Sequence, residues 1–572
     1  MRIKITKSKN SESLYIIKSY RDKNGKSTTR IIEKLGTISS LLPKHNNSRD
    51  EVISWAKKRA DFLTQKEKED NLDVILKLSP SKKLKKDSIR TFNCGYLFLQ
   101  DIFYELGIDD ICKDISKKYN FEFNLTDILA KVIYARILNP ASKLSTFEYS
   151  KKFIEAPLFE LHHIYRALDI LAEEFDYIQS SLYKNSIKIF KRNTSVLYYD
   201  CSNFFFEIEE ADGDKQYGKS KENRPNPIVQ MGLFLDGNGI PLACTIFPGN
   251  QSEQPSLIPL EKKIIKDFKL SKFIVCTDAG LASNNNRKFN NNNNRSYIVT
   301  QSLKKLKKHL KEWALDSKGW KLNNSTKVYN LDEIDDSQYY DKIFYKERYI
   351  NENGIEQRLI VSYSPKYKVY QRNVRQGQID RAKKLISEKK KVSHKNPNSS
   401  TRFISETKTT KNGEVADETY LSLDNEAIRK EEQFDGFYGV CTTLEDNIEE
   451  IIKINKQRWE IEESFRIMKT DFKSRPVYLQ RDERIKAHFL TCFLSLMIHR
   501  ILEKKLNEQY TSAQIISTLR EMNVLYHEGL GYQPLYTRTE VTDSLHEIFN
   551  IETDTEIITE KNMKKFIRQT KH

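Results

Sequence analysis

Apolar and polar residues alternate with a period of two over residues 13–20 and 26–35. This alternation is typical of half-buried strands, and the Asn-Gly pair at the end of the intervening segment 22–25 favours a tight turn. We therefore expect a β-hairpin unit over residues 1–40.

Apolar residues farther along recur at three- and four-residue spacing, which predicts amphipathic helices. Residues 41–91 are assigned to a linker and charged helix, with the polar linker segment at 43–50 and the helix at 51–70. Helical regions are expected over 92–190 and over 501–572. The individual helices of these regions and of the segment between them are predicted at 97–106, 125–138, 161–174, 175–190, 483–506 and 512–522.

Two nearly continuous apolar runs each end in an acid. Residues 194–200 end at Asp200, and residues 272–278 end at Asp278. Such runs are typical of strands that are buried on both faces. Between them lie a predicted hairpin, with strands at 227–235 and 240–247 around a DGNG turn, and a helix at 256–270; a further strand is expected at 296–300.

The stretch 455–472 is predicted to be one helix with two neighbouring stripes. Its apolar stripe consists of Ile461, Phe465, Met468 and Phe472. Its polar stripe consists of Asn455, Arg458, Glu462 and Lys469. A carboxylate flanked by two cations suits a place where a metal ion and a polyanion meet. The alternative is an ordinary solvated helix face. Trp459 lies off the polar stripe and is assigned to packing.

The segment between the last apolar strand and this helix, residues 301–450, contains short β-like runs at 358–363, 403–409 and 434–443. It also contains a strongly basic stretch at 381–395. Two buried strands that deliver aspartates, joined through a hairpin and a helix, fit a ribonuclease H-like plan. The sequence therefore predicts an α/β fold with a ribonuclease H-like core over 191–300 and 451–500, interrupted by a β-rich insertion over 301–450.

The composition is basic, with 96 Lys and Arg against 79 Asp and Glu and a formal net charge of +17. A polyanionic partner is favoured, and nucleic acid is the first candidate. The alternative is that the many Lys, Asn and Ile residues reflect an AT-rich genome.

The seven cysteines are scattered and include no C-x-x-C pair. This argues against a zinc ribbon or a disulfide framework and favours a reducing compartment. No apolar run reaches the roughly 18 residues needed to span a bilayer. A soluble, cytoplasmic protein is expected.

The spacing of Arg458, Glu462 and Lys469 resembles the glutamate helix of bacterial insertion-sequence transposases, which carry a Tyr-Arg-Glu-Lys signature. Asn455 stands where that signature has Tyr. The segments 218–225, 239–250 and 278–281 also resemble this family at corresponding places, and the likeness covers most of 198–500.

The resemblance implies a DDE transposase with Asp200, Asp278 and Glu462 as catalytic acids and metal ligands. It implies two Mg²⁺ ions, with Mn²⁺ as a substitute, and cut-and-paste transposition of an element whose terminal inverted repeats are the substrate. It further implies a homodimer on paired DNA ends, in the nucleoid of a prokaryote. The helical region 92–190 is then expected to bind DNA.

Six residues are predicted to contact DNA phosphates. Arg458 and Lys469 would hold the element end, and Asn455 could donate to a phosphate without stacking on a base. Lys219, Lys221 and Arg224 are further candidates, with an exposed basic loop as the alternative. Two other functions share these features: a non-transposing nuclease of the same fold, and a catalytically inactive or domesticated DNA-binding derivative.

Overall fold

The computed structural model describes residues 1–8, 11–21, 27–70, 80–81, 83–323, 325–388, 398–409 and 418–572. Its contacts divide the chain into two units, Met1–Ser88 and Ile89–His572. The turn predicted at 22–25 and part of the basic stretch at 381–395 lie outside the described residues.

The first unit is a three-stranded antiparallel sheet followed by helices. The strands β1 (Arg2–Ser8), β2 (Ser11–Arg21) and β3 (Ser27–Thr37) lie in chain order. The helices are α1 (Ile38–Leu41) and α2 (Arg49–Asp70), and the buried core consists of Leu14, Leu41, Val52 and Ala56. The two predicted strands and the charged helix are present, whereas β1 was not predicted.

The second unit begins with helices. The elements are β4 (Thr91–Asn93), α3 (Tyr96–Glu105), α4 (Ile108–Lys118), α5 (Leu125–Leu138), α6 (Lys143–Ser150), α7 (Leu161–Glu173) and α8 (Phe175–Ile189). The four helices predicted here are α3, α5, α7 and α8. The short helices α4 and α6 were not predicted.

A mixed sheet follows. Its elements are β5 (Val196–Phe205), β6 (Ile228–Asp236), β7 (Pro241–Pro248), α9 (Leu257–Asp267), β8 (Phe273–Thr277), α10 (Asn284–Phe289) and β9 (Arg295–Gln301). These strands lie in the order β7-β6-β5-β8-β9. The neighbours β5, β8 and β9 are parallel, and β6 pairs antiparallel with both β5 and β7.

The segment predicted as an insertion extends this same sheet. It forms α11 (Lys308–Leu315), β10 (Trp320–Leu322), β11 (Val328–Tyr329), β12 (Phe344–Glu352), β13 (Ile355–Tyr363), α12 (Pro365–Ser387), β14 (Ile404–Thr409), β15 (Glu418–Leu423), α13 (Asn425–Glu432) and β16 (Phe437–Thr442). Because β16 pairs antiparallel with β9, five strands of this segment complete a ten-stranded sheet in the order β11-β10-β12-β13-β16-β9-β8-β5-β6-β7. All three predicted β-like runs contain strands.

The remaining elements are α14 (Ile448–Lys456), α15 (Trp459–Arg466), α16 (Asp482–Lys505), α17 (Ser512–Glu521), β17 (Asn523–His527), β18 (Gly531–Pro534), α18 (Glu540–Phe549) and α19 (Glu560–Gln569). Strand β17 pairs with β4, so the end of the chain returns to the start of the second unit. The prediction of one continuous helix over 455–472 was wrong: α14 ends at Lys456, and a π-helical turn, Ile467–Asp471, follows α15.

Helix α16 lies at the centre of the core. Among the described residues it is the one helix long and apolar enough to cross a membrane, and 94% of its apolar window is buried inside the protein. It contacts α3, α5, α7 and β7. Its apolar character therefore serves packing. All seven cysteines of the chain are buried and unpaired.

A buried ion pair holds the hairpin of β6 and β7. Arg192 Nε donates to Asp236 Oδ2 at 2.6 Å, and the two side chains are 1% and 0% exposed. Arg192 also donates to the carbonyls of Ile240 and Pro241. Asp236 Oδ1 accepts the Asn238 and Ile240 N–H groups. The pair thus fixes both the turn and the edge of the sheet.

Arg192→Met is expected to destabilise the protein by about 3–5 kcal/mol, because it leaves the Asp236 carboxylate buried without a cation. Chemical denaturation would measure this, and Arg192→Met with Asp236→Asn should regain part of the loss. The control is Arg484→Met, which removes a partly exposed pair with Asp169 and should cost less than about 1 kcal/mol. Equal losses in the two single variants would contradict the assigned role.

Candidate active site

Asp200 lies in the middle of β5, not at its end as predicted. The strand continues to Phe205 because Cys201, Phe204 and Phe205 are buried against β6 and the helices. In the parallel pairing of β5 with β8, Tyr198 lies opposite Cys276. The pairing ends there, but the same offset brings Asp200 to the level of Asp278, and the Asp278 carboxylate lies close enough to raise the pKa of Asp200.

Asp278 directly follows β8, as the sequence predicted. Its Oδ1 accepts the N–H groups of Gly280 and Leu281 at 2.9 and 3.1 Å. A Cβ on Gly280 would lie only 3.2 Å from that oxygen. The backbone turn after β8 therefore holds this carboxylate in a fixed orientation.

The electrostatic surroundings of Asp200 are those of a carboxylate in a shared acidic site. Burial raises its pKa to about 6, the Asp278 carboxylate adds to the rise, and Lys221 and Arg458 oppose it. The Cys201 N–H also donates to Asp200 Oδ1 at 2.8 Å. Two neighbouring carboxylates in one site favour the binding of a cation between them.

Arg458 links the three predicted acids. It lies between α14 and α15, and its Nη2 is 3.4 Å from Glu462 Oε1. Burial alone would lower the pKa of Arg458, but Tyr438, Glu462 and Asp278 together raise it above its ordinary value. Arg458 also acts on Asp200. Arg458 is therefore in contact with Glu462 and influenced electrostatically by both aspartates.

Glu462 is less closely grouped than the two aspartates. Its side chain is 60% exposed on α15, which packs against β5. Among the described residues, only Asp543, His546 and Asp554 form a group of three potential metal ligands whose ligand atoms all lie within 4.8 Å of one another. The oxygens of Asp200, Asp278 and Glu462 are thus farther apart. In the group of Asp543, His546 and Asp554, both carboxylates already pair with an arginine: Arg538 Nε lies 2.6 Å from Asp543 Oδ1 and 3.4 Å from Asp554 Oδ2.

Lys469 and Lys221 approach the same end of the site. Lys469 lies in the π-helical turn, a feature often found at functional sites. Its Nζ lies 5.4 Å from the centre of the Phe204 ring. Burial and the nearby Lys221 lower its pKa to about 8, while Asp200 opposes the shift. Lys221 donates to the Cys201 carbonyl and also acts on Asp200.

The remaining predicted DNA contacts differ in position. Lys219 and Arg224 are exposed on the loop beside β5, where the Lys219 carbonyl accepts from Asn203 and the Arg224 guanidinium lies 4.1 Å from the centre of the Phe205 ring. Asn455 is only 6% exposed, and its amide donates to the Tyr438 hydroxyl at 3.1 Å. The break after α14 places Asn455 on the core side, so the predicted phosphate contact is not available in this structure.

Three further residues at the site were missed by sequence reasoning or misassigned. Glu253 pairs with Lys221 at 3.1 Å, and Glu222 lies 3.6 Å from Lys469. Neither acid belongs to a periodic pattern, although Glu222 lies inside the 218–225 segment. The assignment of Trp459 to packing was wrong, since it is 56% exposed beside Arg458.

Comparisons with known proteins agree on one family. The family model for a transposase DDE domain matches residues 203–498, which is more than half of the chain and begins three residues after Asp200. The model for the N-terminal domain of the IS1634 family of transposases matches residues 1–69. No curated protein matches this chain in sequence.

Among solved structures, the chain is similar to a piggyBac transposase synaptic complex with hairpin DNA, studied by cryo-electron microscopy. The identity is 8%, the TM-score is 0.36, and the match covers 83% of this chain and 84% of the other. The matched family models span both units, and the chain is an insertion-sequence DDE transposase of the IS1634 family.

Proposed function

We propose that this DNA transposase cuts and joins the ends of its element with Asp200, Asp278 and Glu462 as the catalytic carboxylates. The observation that supports this assignment is the register of β5 and β8, whose offset brings Asp200 to the level of Asp278, together with the effect of Asp278 on the pKa of Asp200. Arg458 provides the connection to Glu462, because it lies 3.4 Å from that carboxylate and within the field of both aspartates.

The strand order supports a ribonuclease H-like core. The five strands β7-β6-β5-β8-β9 combine an antiparallel hairpin with three parallel strands, and the first acid lies on the central strand. Residues 191–300 and 451–500 would form this core. The segment 301–450 would then be an insertion that shares the sheet, and the helical region 92–190 would bind DNA.

The donor set fits divalent metal ions, which DDE transposases generally use. Carboxylate oxygens are the ligands that Mg²⁺ and Mn²⁺ prefer, and two adjacent carboxylates, one with a pKa raised to about 6, match that preference. Asp200, Asp278 and Glu462 would hold two Mg²⁺ ions. Bound divalent ions supply charge neutralisation of the phosphodiester and activation of the attacking oxygen.

The cations of the site would bind and orient the DNA end. Arg458 can form a two-pronged contact with a phosphate, and Lys469 can act as a point charge. Lys221 is placed to join them, while the exposed Lys219 and Arg224 would contact DNA at the rim. Asn455 would instead support the site from the core through the Tyr438 hydroxyl.

The substrate would be the terminal inverted repeats of the element, bound by a homodimer that pairs two ends in the nucleoid of a prokaryotic cell. The net charge of +17 favours such a polyanion. The products of the reaction separate this function from its alternatives. A non-transposing nuclease of the same fold would cut without joining, and an inactive derivative would bind without cutting.

Asp200→Asn, Asp278→Asn and Glu462→Gln should each abolish cleavage at the element boundary while leaving end binding largely intact. Each change removes a charge needed for the metal ions but keeps the side-chain shape. The assay resolves nicked, hairpinned and joined products with Mg²⁺ or with EDTA. Glu463→Gln is the matched control, since Glu463 pairs with Arg466 on the same helix. Cleavage by any acid variant at the wild-type rate would refute its role.

Arg458→Ala should weaken binding of the element end and reduce the slope of log affinity against log salt by about 1, because one phosphate contact is lost. A salt titration of binding in EDTA measures both effects. Arg466→Ala, which removes an arginine paired with Glu463 and Asp471, should leave the slope unchanged. An unchanged slope in Arg458→Ala would mean that this guanidinium serves the acids alone.

Asn455→Ala should lower the free energy of unfolding by about 1–3 kcal/mol, because it removes one of the two hydrogen-bond partners of the Tyr438 hydroxyl, Asn455 and Thr300. The salt slope of DNA binding should not change, since the amide is buried. Denaturation and the same salt titration test the two parts. A reduced salt slope without a loss of stability would instead support the direct contact between Asn455 and DNA that the sequence predicted.

A further inference from the structure

A cavity of about 440 Å³ lies between the start of α6 and the segment 473–479 that follows the π-helical turn. Its lining includes the cationic residues Arg136, Lys143, Lys473 and Arg475, together with His488. No aspartate or glutamate is among the lining residues that the structure describes. The cavity is therefore separate from the acidic site and opposite to it in charge.

Two of these cations are deeply buried and incompletely paired. Lys143 is 5% exposed, and its Nζ has no hydrogen-bond partner among the described residues. Arg136 is 4% exposed; its Nη1 and Nη2 donate to the Phe472 and Ala141 carbonyls at 3.2 Å, and its Nε has no partner within the same part of the chain. A buried cation without a counter-charge is strongly destabilising.

The pKa of Lys143 reflects its surroundings. Burial and the adjacent Arg136 lower this pKa to about 7, and Cys492 opposes the shift. His488 adds no charge, because burial and the same two cations hold its pKa well below its ordinary value. A bound anion would supply the negative charge that Lys143 and Arg136 lack.

The backbone at the cavity also favours an anion. Helix α6 begins at Lys143, its N-cap is Ser142, and Ser142, Lys143, Leu144 and Ser145 all line the cavity. The N–H groups of a first helical turn carry partial positive charge and bind phosphate groups well. The helix start and the two buried cationic residues thus line the same cavity.

The cavity is connected to the active site through residues 469–475. Arg136 donates a hydrogen bond to the Phe472 carbonyl, and Phe472 directly follows the π-helical turn that carries Lys469. Arg475 pairs with Glu222, and Glu222 also lies 3.6 Å from Lys469. A phosphate in the cavity and a phosphate at Lys469 would therefore lie on two sides of one short segment.

We propose that this cavity binds a backbone phosphate of the element end, distinct from the phosphate that is cut, through Lys143, Arg136 and the start of α6. This inference rests on the proposed function, because the same DNA end must occupy the acidic site. The cavity would anchor the DNA and keep the 469–475 segment in the position that presents Lys469.

The test is Lys143→Met, which keeps the length of the side chain and removes its charge. We expect a higher melting temperature, because an unpaired buried charge is lost. We also expect about tenfold weaker binding of a duplex carrying the terminal inverted repeat, with a salt slope reduced by about 1. Lys143→Arg should retain the slope, and Lys152→Met, an exposed lysine two residues after α6, is the control.

Binding is measured in EDTA, so the result does not depend on catalysis. A Lys143→Met protein with wild-type affinity and slope would overturn the proposal. If inorganic phosphate, compared with chloride at equal ionic strength, stabilises the wild type but not Lys143→Met while DNA binding is unchanged, the ligand is a free anion and the DNA assignment fails. Failure of the proposed function would appear separately, as absence of Mg²⁺-dependent cleavage by the wild type.

Discussion

The parallel pairing of β5 with β8 is the constraint on which the site depends. A parallel neighbour requires a long crossover, and here the β6-β7 hairpin and α9 supply it. The close approach of β6 to β5 needs Gly232, since a Cβ there would lie 2.2 Å from the Tyr199 hydroxyl. That hydroxyl lies 2.6 Å from Ser256 Oγ at the start of α9. Contacts of the crossover thus hold the strand that carries Asp200.

Sequence periodicity predicted the elements whose burial is regular. Helices α5 and α16 and strands β6, β8 and β9 have apolar patterns that follow from their packing. The end of β5 was misplaced because Ser202 and Asn203 interrupt the apolar run, although both are buried. The Asn203 amide donates to the Lys219 carbonyl, a contact with a loop that no local pattern reveals. Likewise, the pairing of β16 with β9 joins residues far apart in sequence, so the shared sheet could not be anticipated.

The polar residues at the site also divide into those that local sequence spacing predicted and those whose position depends on contacts between distant segments. The spacing of Arg458, Glu462 and Lys469 was informative because α15 and the turn after it keep these side chains near β5. Asn455 was misplaced because the chain changes direction between α14 and α15, which puts its amide against Tyr438. A single helical wheel cannot represent such a break. Apolar runs that end in an acid pointed to Asp200 and Asp278 as candidates, whereas the contact of Asn455 with Tyr438 became visible only in the structure.

The charge pattern of the active site suggests how DNA and metal binding are coupled. In this structure the cations are occupied by carboxylates: Arg458 by Glu462, Lys221 by Glu253 and Lys469 by Glu222. A DNA phosphate that binds Arg458 competes with Glu462 for the same donors. Under the proposed function, the exposed Glu462 carboxylate released in this way would join Asp200 and Asp278 as a metal ligand. The basic residues would then assemble the acidic site only when its substrate is present.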